Sequence, residues 1–376
     1  MMKHLRAKIA RLISAVILSM AAIWAGCRPE TAPPFISTPP VTAEMPDQVT
    51  GLLLPVGYTT EVVGQGLQGP TQMIPGPAGE LWLAQLAGGE NAGQGQVVVL
   101  SLATGAQRVL LTDLFKPTGI AILADALWIA AGRDLLRAPL NDAGAVGPVE
   151  TILKELPFNG RSNGALTVSP AGRLLFETSG QRRGQQAVAG SATLWELDPA
   201  NPDSPRPIAI GLKNAYAHTF DAAGRLWITE VSDDPVNGEA PPDELNLVVE
   251  GANFGWPACF GRQQPAFNYG GTAESCQATR PPVALFPPHT TPTSLVVSPW
   301  EENTLLVALW GPPERAVVRV SLTLTGDNAV GQVEPFITGL QNPQHLLVWP
   351  DGSLLVSDSS AGVIYRVRPS PEQNSK

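Results

Sequence analysis

The chain has 376 residues, of which 37 are Gly, 37 are Pro and only 15% carry charge. That turn-rich composition excludes a mainly helical architecture and suits many short strands joined by tight loops. The formal charge is −9, and −13 once the four basic residues of the N-terminal leader are removed (20 Lys and Arg against 33 Asp and Glu), which argues against nucleic acid or an anionic membrane surface as partner.

Residues 1–26 have the form of a lipoprotein-type signal peptide. Lys3, Arg6, Lys8 and Arg11 make a basic start, and Leu12 to Trp24 is an apolar run. The run is too short to span about 30 Å of hydrocarbon comfortably. Ala25-Gly26 supplies the small residues that a signal peptidase needs. Ala25-Gly26-Cys27 resembles a bacterial lipobox, with Trp24 where Leu is usual, so Cys27 is the expected lipidation site. Residues 27–49 are polar and rich in Pro and read as an extended tether. The protein is therefore expected to be exported and lipid-anchored, facing the periplasm or the cell exterior. With Cys27 lipidated, Cys259 and Cys276 remain as an even pair in an oxidising compartment. A disulfide between them is expected in preference to a metal site, since no His or further Cys shares a ligand spacing with them.

From residue 50 to 369 one unit recurs six times. An apolar strand ends in a Pro, Asp or Gly turn, a second apolar strand follows, and a third comes after a short gap. The copies begin at PTQMIPGPAGELWLAQ, PTGIAILADALWIAAG, NGALTVSPAGRLLFETSG, NAYAHTFDAAGRLWITEV, PTSLVVSPWEENTLLVALWG and NPQHLLVWPDGSLLVSD. Six copies at roughly 40–50 residues predict an all-β, six-bladed β-propeller. A β-sandwich is the alternative, disfavoured by the number and even spacing of the copies. Gly57 to Val63 precedes the first copy and is expected to close the ring by joining the last blade. Residues 370–376 read as a disordered tail.

In a propeller, the loop leading into each innermost strand opens onto one end of the central channel. Those loops are Pro70-Thr71-Gln72, Pro117-Thr118, Arg161-Ser162-Asn163, Lys213-Asn214, His289 to Pro292, and Asn342 to His345. Polar side chains from distant parts of the chain thus converge on one funnel, the default ligand site. Outside the leader only His218, His289 and His345 offer imidazoles. His218 lies within a strand and reads as a core residue, whereas His289 and His345 stand at strand beginnings facing the funnel. The loop Asp233 to Glu244 is dense in oxygen ligands; Pro235 and the flanking strands exclude an EF-hand, and a hard cation such as Ca2+ held by Glu244 and backbone carbonyls remains.

The segments GLKNAYAHTFDAAGRLWITE, PPDELNLVVEGANFGWPACFG, PPVALFPPHTTPTSLVV, GQVEPFITGL and PDGSLLVSDSSAGVIYRV resemble, in order, the glucose/sorbosone dehydrogenase family. The most specific piece is 243–257. The resemblance implies a six-bladed, exported enzyme that uses pyrroloquinoline quinone (PQQ) and Ca2+ to oxidise the anomeric or aldehyde carbon of sugars. It further implies a Ca2+ site at Glu244 and the Phe254 backbone, beside Asp243. It puts Asn214 among the cofactor-facing positions, with Lys213 where the family usually has Arg. The chain also departs from the pattern. The family's general base is a His just before blade three, where this sequence reads Asn159-Gly160-Arg161-Ser162-Asn163. The Arg that contacts the quinone before the last blade is replaced within Gln341-Asn342-Pro343. Arg161, Lys213 and Arg315 are the cations left to meet a trianionic quinone, with Asn163 beside them, and His289 or His345 is left as base.

Three readings stay open. One is a PQQ-dependent sugar or aldehyde dehydrogenase, with a small-molecule substrate and an electron acceptor as partners. Another is a non-catalytic propeller that binds a sugar-like ligand, having lost the family's catalytic His. The last is a cell-surface interaction module using loops such as Arg182 to Gln186.

Overall fold

The second strand of each repeat shows why the sequence folds as it does. Leu81-Trp82, Leu127-Trp128 and Leu226-Trp227 occupy corresponding positions, and successive side chains of a strand point to opposite faces. In a computed structural model of the chain, Leu81, Leu127 and Leu226 pack toward the preceding blade, and Trp82, Trp128 and Trp227 toward the following one. All three Trp are 0% exposed. Each Trp removes about 150–250 Å2 from water, worth roughly 4–6 kcal/mol at ~25 cal/mol per Å2 before conformational entropy is subtracted. Two buried faces explain why these strands read as continuous apolar runs rather than as alternation.

The structure describes residues 44–47, 50–87, 92–141, 144–161, 163–232 and 235–371. The expected signal peptide, Cys27 and most of the tether lie outside the described residues, as do Ser162, Asp233, Asp234 and 372–376.

Six antiparallel sheets follow one another in chain order. Blade one comprises Pro70–Pro75, Leu81–Gln85, Gly95–Leu100 and Gln107–Leu114. Blade two comprises Pro117–Ile122, Ala126–Ala131, Asp134–Pro139 and Glu150–Leu153. Blade three comprises Thr167–Val168, Leu174–Thr178, Thr193–Leu197 and Arg206–Ile210, with Ala252–Asn253 added in parallel at its edge. Blade four comprises Ala217–Phe220, Leu226–Glu230, Asp243–Val248 and Ala284–Phe286. Blade five comprises Pro292–Val297, Thr304–Leu309, Ala316–Thr325 and Asn328–Ile337. Blade six comprises Pro343–Val348, Leu354–Asp358 and Val363–Pro369, and its fourth strand is Tyr58–Gly64 from the beginning of the chain. The expected ring closure is therefore present. Six apolar clusters each join two neighbouring blades, so the core is a ring of interfaces rather than one central mass.

Two features add to the repeat. Within the segment expected to be tether, Glu44–Pro46 pairs with Leu53–Pro55. Leu52 and Leu54 bury themselves against Leu306, Phe336 and Ile337 of blade five. The second feature is the expected disulfide, Cys259–Cys276, with Cα atoms 5.5 Å apart, tying the hairpin at 259–265 to the short helix Ala273–Gln277. The two cysteines are 17 positions apart. Opening a loop of that size costs about 3 kcal/mol in the chain-entropy model. Cys259→Ala/Cys276→Ala is expected to lose about that much in urea unfolding. A loss indistinguishable from zero would show that the loop is held by its hydrogen bonds alone.

Candidate functional site

Repeated local devices build the funnel. Pro stands first in the innermost strands at Pro70, Pro117, Pro292 and Pro343, where no ladder N–H is required. A Thr after it ties one blade to the next: Thr71 Oγ1 donates to Pro117 O (2.9 Å) and Thr293 Oγ1 to Pro343 O (3.4 Å). Gln72 reaches further, accepting from the Ile120 and Leu166 amides (2.8 and 2.9 Å) and donating to Leu166 O (2.7 Å), so it joins three blades.

The last residue of the second strand fixes the loop above it. Gln85 accepts the Gln68 amide (3.0 Å), Glu230 the Lys213 amide (2.6 Å), and Asp358 the amides of Gln341 (2.6 Å), Asn342 (3.0 Å) and Ala361 (3.1 Å). Blade three uses the reverse arrangement, with Asn163 Oδ1 accepting from Ser179 N (3.1 Å) and Ser179 Oγ (2.6 Å). These side chains turn flexible loops into fixed walls.

The walls enclose a cavity of about 240 Å3. Thr71, Thr118, Arg161, Asn214, Thr291 and Gln344 line it, one from each of the six loops singled out in the sequence. Asn159, Tyr216, Thr293, Trp310, Ser359 and Ser360 complete the polar and aromatic lining. Gln344 Nε2 donates to Tyr216 Oη (3.0 Å), linking blade six to blade four across the ring. Trp310 is held from both sides: its indole N–H donates to Ser359 Oγ (3.0 Å), and its carbonyl accepts from Asn342 Nδ2 (2.8 Å). Among the described residues no Asp, Glu or His lines the cavity, and Arg161 is its one cation.

The remaining residues expected at the funnel lie elsewhere. His289 is exposed in the left-handed region (φ 67°), and Arg315 is exposed with φ 39°; neither lines the cavity. His345 is buried, accepts the Met73 amide at Nδ1 (3.4 Å), and has its pKa pushed down to about 3 by burial, so it is neutral. His218 is a core residue as expected: its Nδ1 meets Thr167 Oγ1 (2.8 Å), and burial lowers it to about 4. Asn163 lies buried behind the wall. Lys213 is buried too and does not line the funnel cavity. Tyr216, Trp310 and the Ser359-Ser360 pair were missed; the signal for the last was their place directly after the second strand of blade six.

Lys213 instead borders a second, ion-sized cavity of about 20 Å3 with Glu230, Glu244 and Phe254. Glu244 accepts from Gly261 N (2.7 Å) and Asn246 Nδ2 (3.0 Å). Burial raises Glu244 to about 7, and it raises Glu230 well above the carboxylate range, with Glu244's charge as the next cause. Two buried carboxyls this close share a proton or a cation. Asp243, expected beside Glu244 as a ligand, points the other way. Its oxygens accept from Ser232 N (2.7 Å), Thr291 N (2.8 Å) and Thr290 Oγ1 (3.2 Å), so it anchors the loop into blade five rather than the small cavity. Among the described residues no group of three or more His, Cys, Asp or Glu side chains is arranged around a metal position.

Residues 199–366 match the glucose/sorbosone dehydrogenase family. That stretch contains most of the segments from which the resemblance was drawn, and bears the resemblance out. The holo form of the pyranose dehydrogenase PQQ domain from Coprinopsis cinerea superposes with a TM-score of 0.68 at 18% identity, covering 84% of this chain and 97% of that one. The calcium structure of a Trichoderma reesei carbohydrate-active enzyme of family AA12 gives 0.68 at 19% identity, covering 87% and 99%. At these identities the likeness is one of fold. An uncharacterized protein of Borreliella burgdorferi is 25% identical over 181 residues, 43% of this chain, and the chain spans about half (48%) of that relative's length.

Proposed function

We propose that the funnel binds an aldose or a related aldehyde and oxidises it with PQQ. The observation that carries this reading is the convergence of six loops on one cavity whose polar lining is hydroxyls, amides and a single guanidinium, without a carboxylate among its described lining. Such a donor-rich, acid-free wall fits both a polyhydroxylated ligand and the carboxylates of the quinone. Arg161 and Asn214 would hold the quinone's acidic edge, and Trp310 offers a fixed aromatic face against it. When bound, the quinone supplies the two-electron acceptor for oxidation of the sugar carbon. The Glu230–Glu244 cavity, with Phe254 on its wall, fits one Ca2+, whose charge would relieve the two carboxyls.

A second reading, a propeller that binds such a ligand without turnover, is favoured by one observation: among the described residues no His, Asp or Glu reaches the cavity to take a hydroxyl proton. One experiment separates the two. Added PQQ and Ca2+ should raise the melting temperature, by the equivalent of about 2.7 kcal/mol at a hundredfold excess over Kd. Arg161→Ala should diminish that rise. Reduction of an artificial electron acceptor by an aldose then supports the dehydrogenase, cofactor binding without reduction supports the binding protein, and an unchanged melting temperature removes both roles for the quinone. We also propose that the protein works outside the cytoplasm, anchored through Cys27; Cys27→Ser should move it from the membrane fraction into solution, and a wild type already soluble would rule the anchor out.

A further inference from the structure

We propose that three excursions from blades three and four form a cap over the Glu230–Glu244 cavity, so that a divalent cation held there is occluded and exchanges only when the cap opens. The inference rests on the reading of that cavity as a cation site. Residues 235–242 leave blade four between its second and third strands, and residues 255–277 leave it after the third. The hairpin of Arg182–Arg183 and Gln186–Ala187 leaves blade three. The cap closes the cavity with Val236, Trp256, Pro257, Phe260 and Tyr269, a largely apolar cover over two buried carboxyls. Among residues 235–240 only Val236 is buried, so its side chain acts as the plug of an otherwise exposed loop. The cap also reaches a carboxyl directly, since Gly261 N donates to Glu244 Oε1 (2.7 Å).

The excursions are clasped to one another. Asn237 N donates to Asn268 Oδ1 (3.1 Å), and Asn268 Nδ2 donates to Pro235 O (3.1 Å). Asn237 Oδ1 accepts the Phe267 amide (2.8 Å), and its Nδ2 donates to Pro265 O (2.9 Å). Tyr269 Oη donates to Pro235 O (3.0 Å), while the Arg182 guanidinium of the blade-three hairpin lies 4.0 Å over its ring. The Cys259–Cys276 disulfide ties the longest excursion to itself. One excursion cannot lift without breaking contacts to the others, and a local opening of this kind has its own free energy, which sets how often the cavity meets solvent. While the cap is closed, water cannot enter to hydrate a departing ion, and the low dielectric beneath it strengthens the hold of the carboxyls on a cation.

The test is kinetic and needs no turnover. Mixing the Ca2+-loaded full-length protein with an excess of a fluorescent chelator measures release, and mixing the ion-free protein with Ca2+ measures loading. Val236→Ala, which removes the plug and leaves the clasp, should speed release about tenfold. Cys259→Ala/Cys276→Ala should do at least as much. Asn268→Asp, which keeps the acceptor for Asn237 and loses the donor to Pro235, should speed it less. A cap lies on the way in as well as on the way out, so loading should quicken with release and Kd should change less than either rate. Glu244→Gln should instead raise Kd and quicken release without quickening loading, as the loss of a charged oxygen ligand does. Release and loading unchanged in Val236→Ala and in the double cysteine variant would overturn the proposal while leaving the cation site standing. A wild type that takes up no Ca2+ in calorimetric titration would overturn both.

Discussion

Asp358→Ala is expected to destabilise the propeller by about 2–4 kcal/mol, the cost of leaving one buried and two partly buried backbone donors without their acceptor. Asp358 is fully buried and accepts three backbone N–H groups, from Gln341, Asn342 and Ala361. Ala leaves those three donors without their acceptor, the Asn342 amide buried and the other two partly so, and an orphaned buried donor costs about 1–3 kcal/mol. The damage reaches the site, because Asn342 holds the Trp310 carbonyl and its neighbour Gln344 crosses to Tyr216. Asp358→Asn should fall between, since it keeps one acceptor oxygen but turns an amide donor toward an N–H. Urea unfolding measures the loss, and tryptophan fluorescence in the native state should report the loosened Trp310. A loss under 1 kcal/mol would mean the loop is held by its neighbours and that the carboxylate only fills space.

Much of this architecture is legible in the sequence because it is local. Turn residues, apolar strands and the six-fold repeat need no knowledge of distant contacts, and they lead directly to the loops that carry Thr71, Thr118, Arg161, Asn214, Thr291 and Gln344 to the cavity. What is not legible is which of two neighbours faces inward. Successive side chains in extended backbone point opposite ways, so a loop identified correctly still leaves a choice. Asn214 faces the funnel, while Lys213 turns toward Glu230 and Glu244. Gln344 faces it, while His345 turns to Met73. Glu244 borders the ion-sized cavity, while Asp243 turns to the Thr290-Thr291 loop. His289 is a separate case: its left-handed backbone sets it at an exposed position, and nothing in the PPHTTP segment announces that dihedral.

Lys213, Glu230 and Glu244 belong to a buried ionisable group that also includes Glu177, its least compensated member. No hydrogen bond of ordinary geometry reaches either of its carboxyl oxygens. Burial raises its pKa to about 8, and the Ala215 amide and the Lys213 charge act the other way too weakly to cancel it. The neighbouring carboxyl of Glu230 is raised in turn, Glu177 being among the smaller causes. Space does not relieve the carboxyl either. Gly164 beside it is in the left-handed region (φ 66°), and a Cβ there would stand 2.5 Å from Tyr216 O and 3.1 Å from Glu177 Oε1. The folded protein therefore keeps this proton up to about pH 8, whereas the unfolded chain releases it near the ordinary carboxyl value of 4.5. Between those limits the native state binds more protons than the unfolded one, so this group's contribution to stability is complete below pH 4.5 and is lost as pH rises. At about 1.4 kcal/mol per pH unit, the loss across the whole window is on the order of 5 kcal/mol. Glu177→Gln preserves the shape and removes the titration. Its stability relative to wild type should be near zero at pH 5 and should grow steadily to a gain of a few kcal/mol by pH 8.5. Glu230 and Glu244 titrate in both proteins and largely cancel from the difference. Thermal unfolding of the pair at half-unit intervals provides the test: a constant offset from pH 5 to 9 would show that Glu177 is ionised in the native state and that Lys213, rather than a proton, balances it.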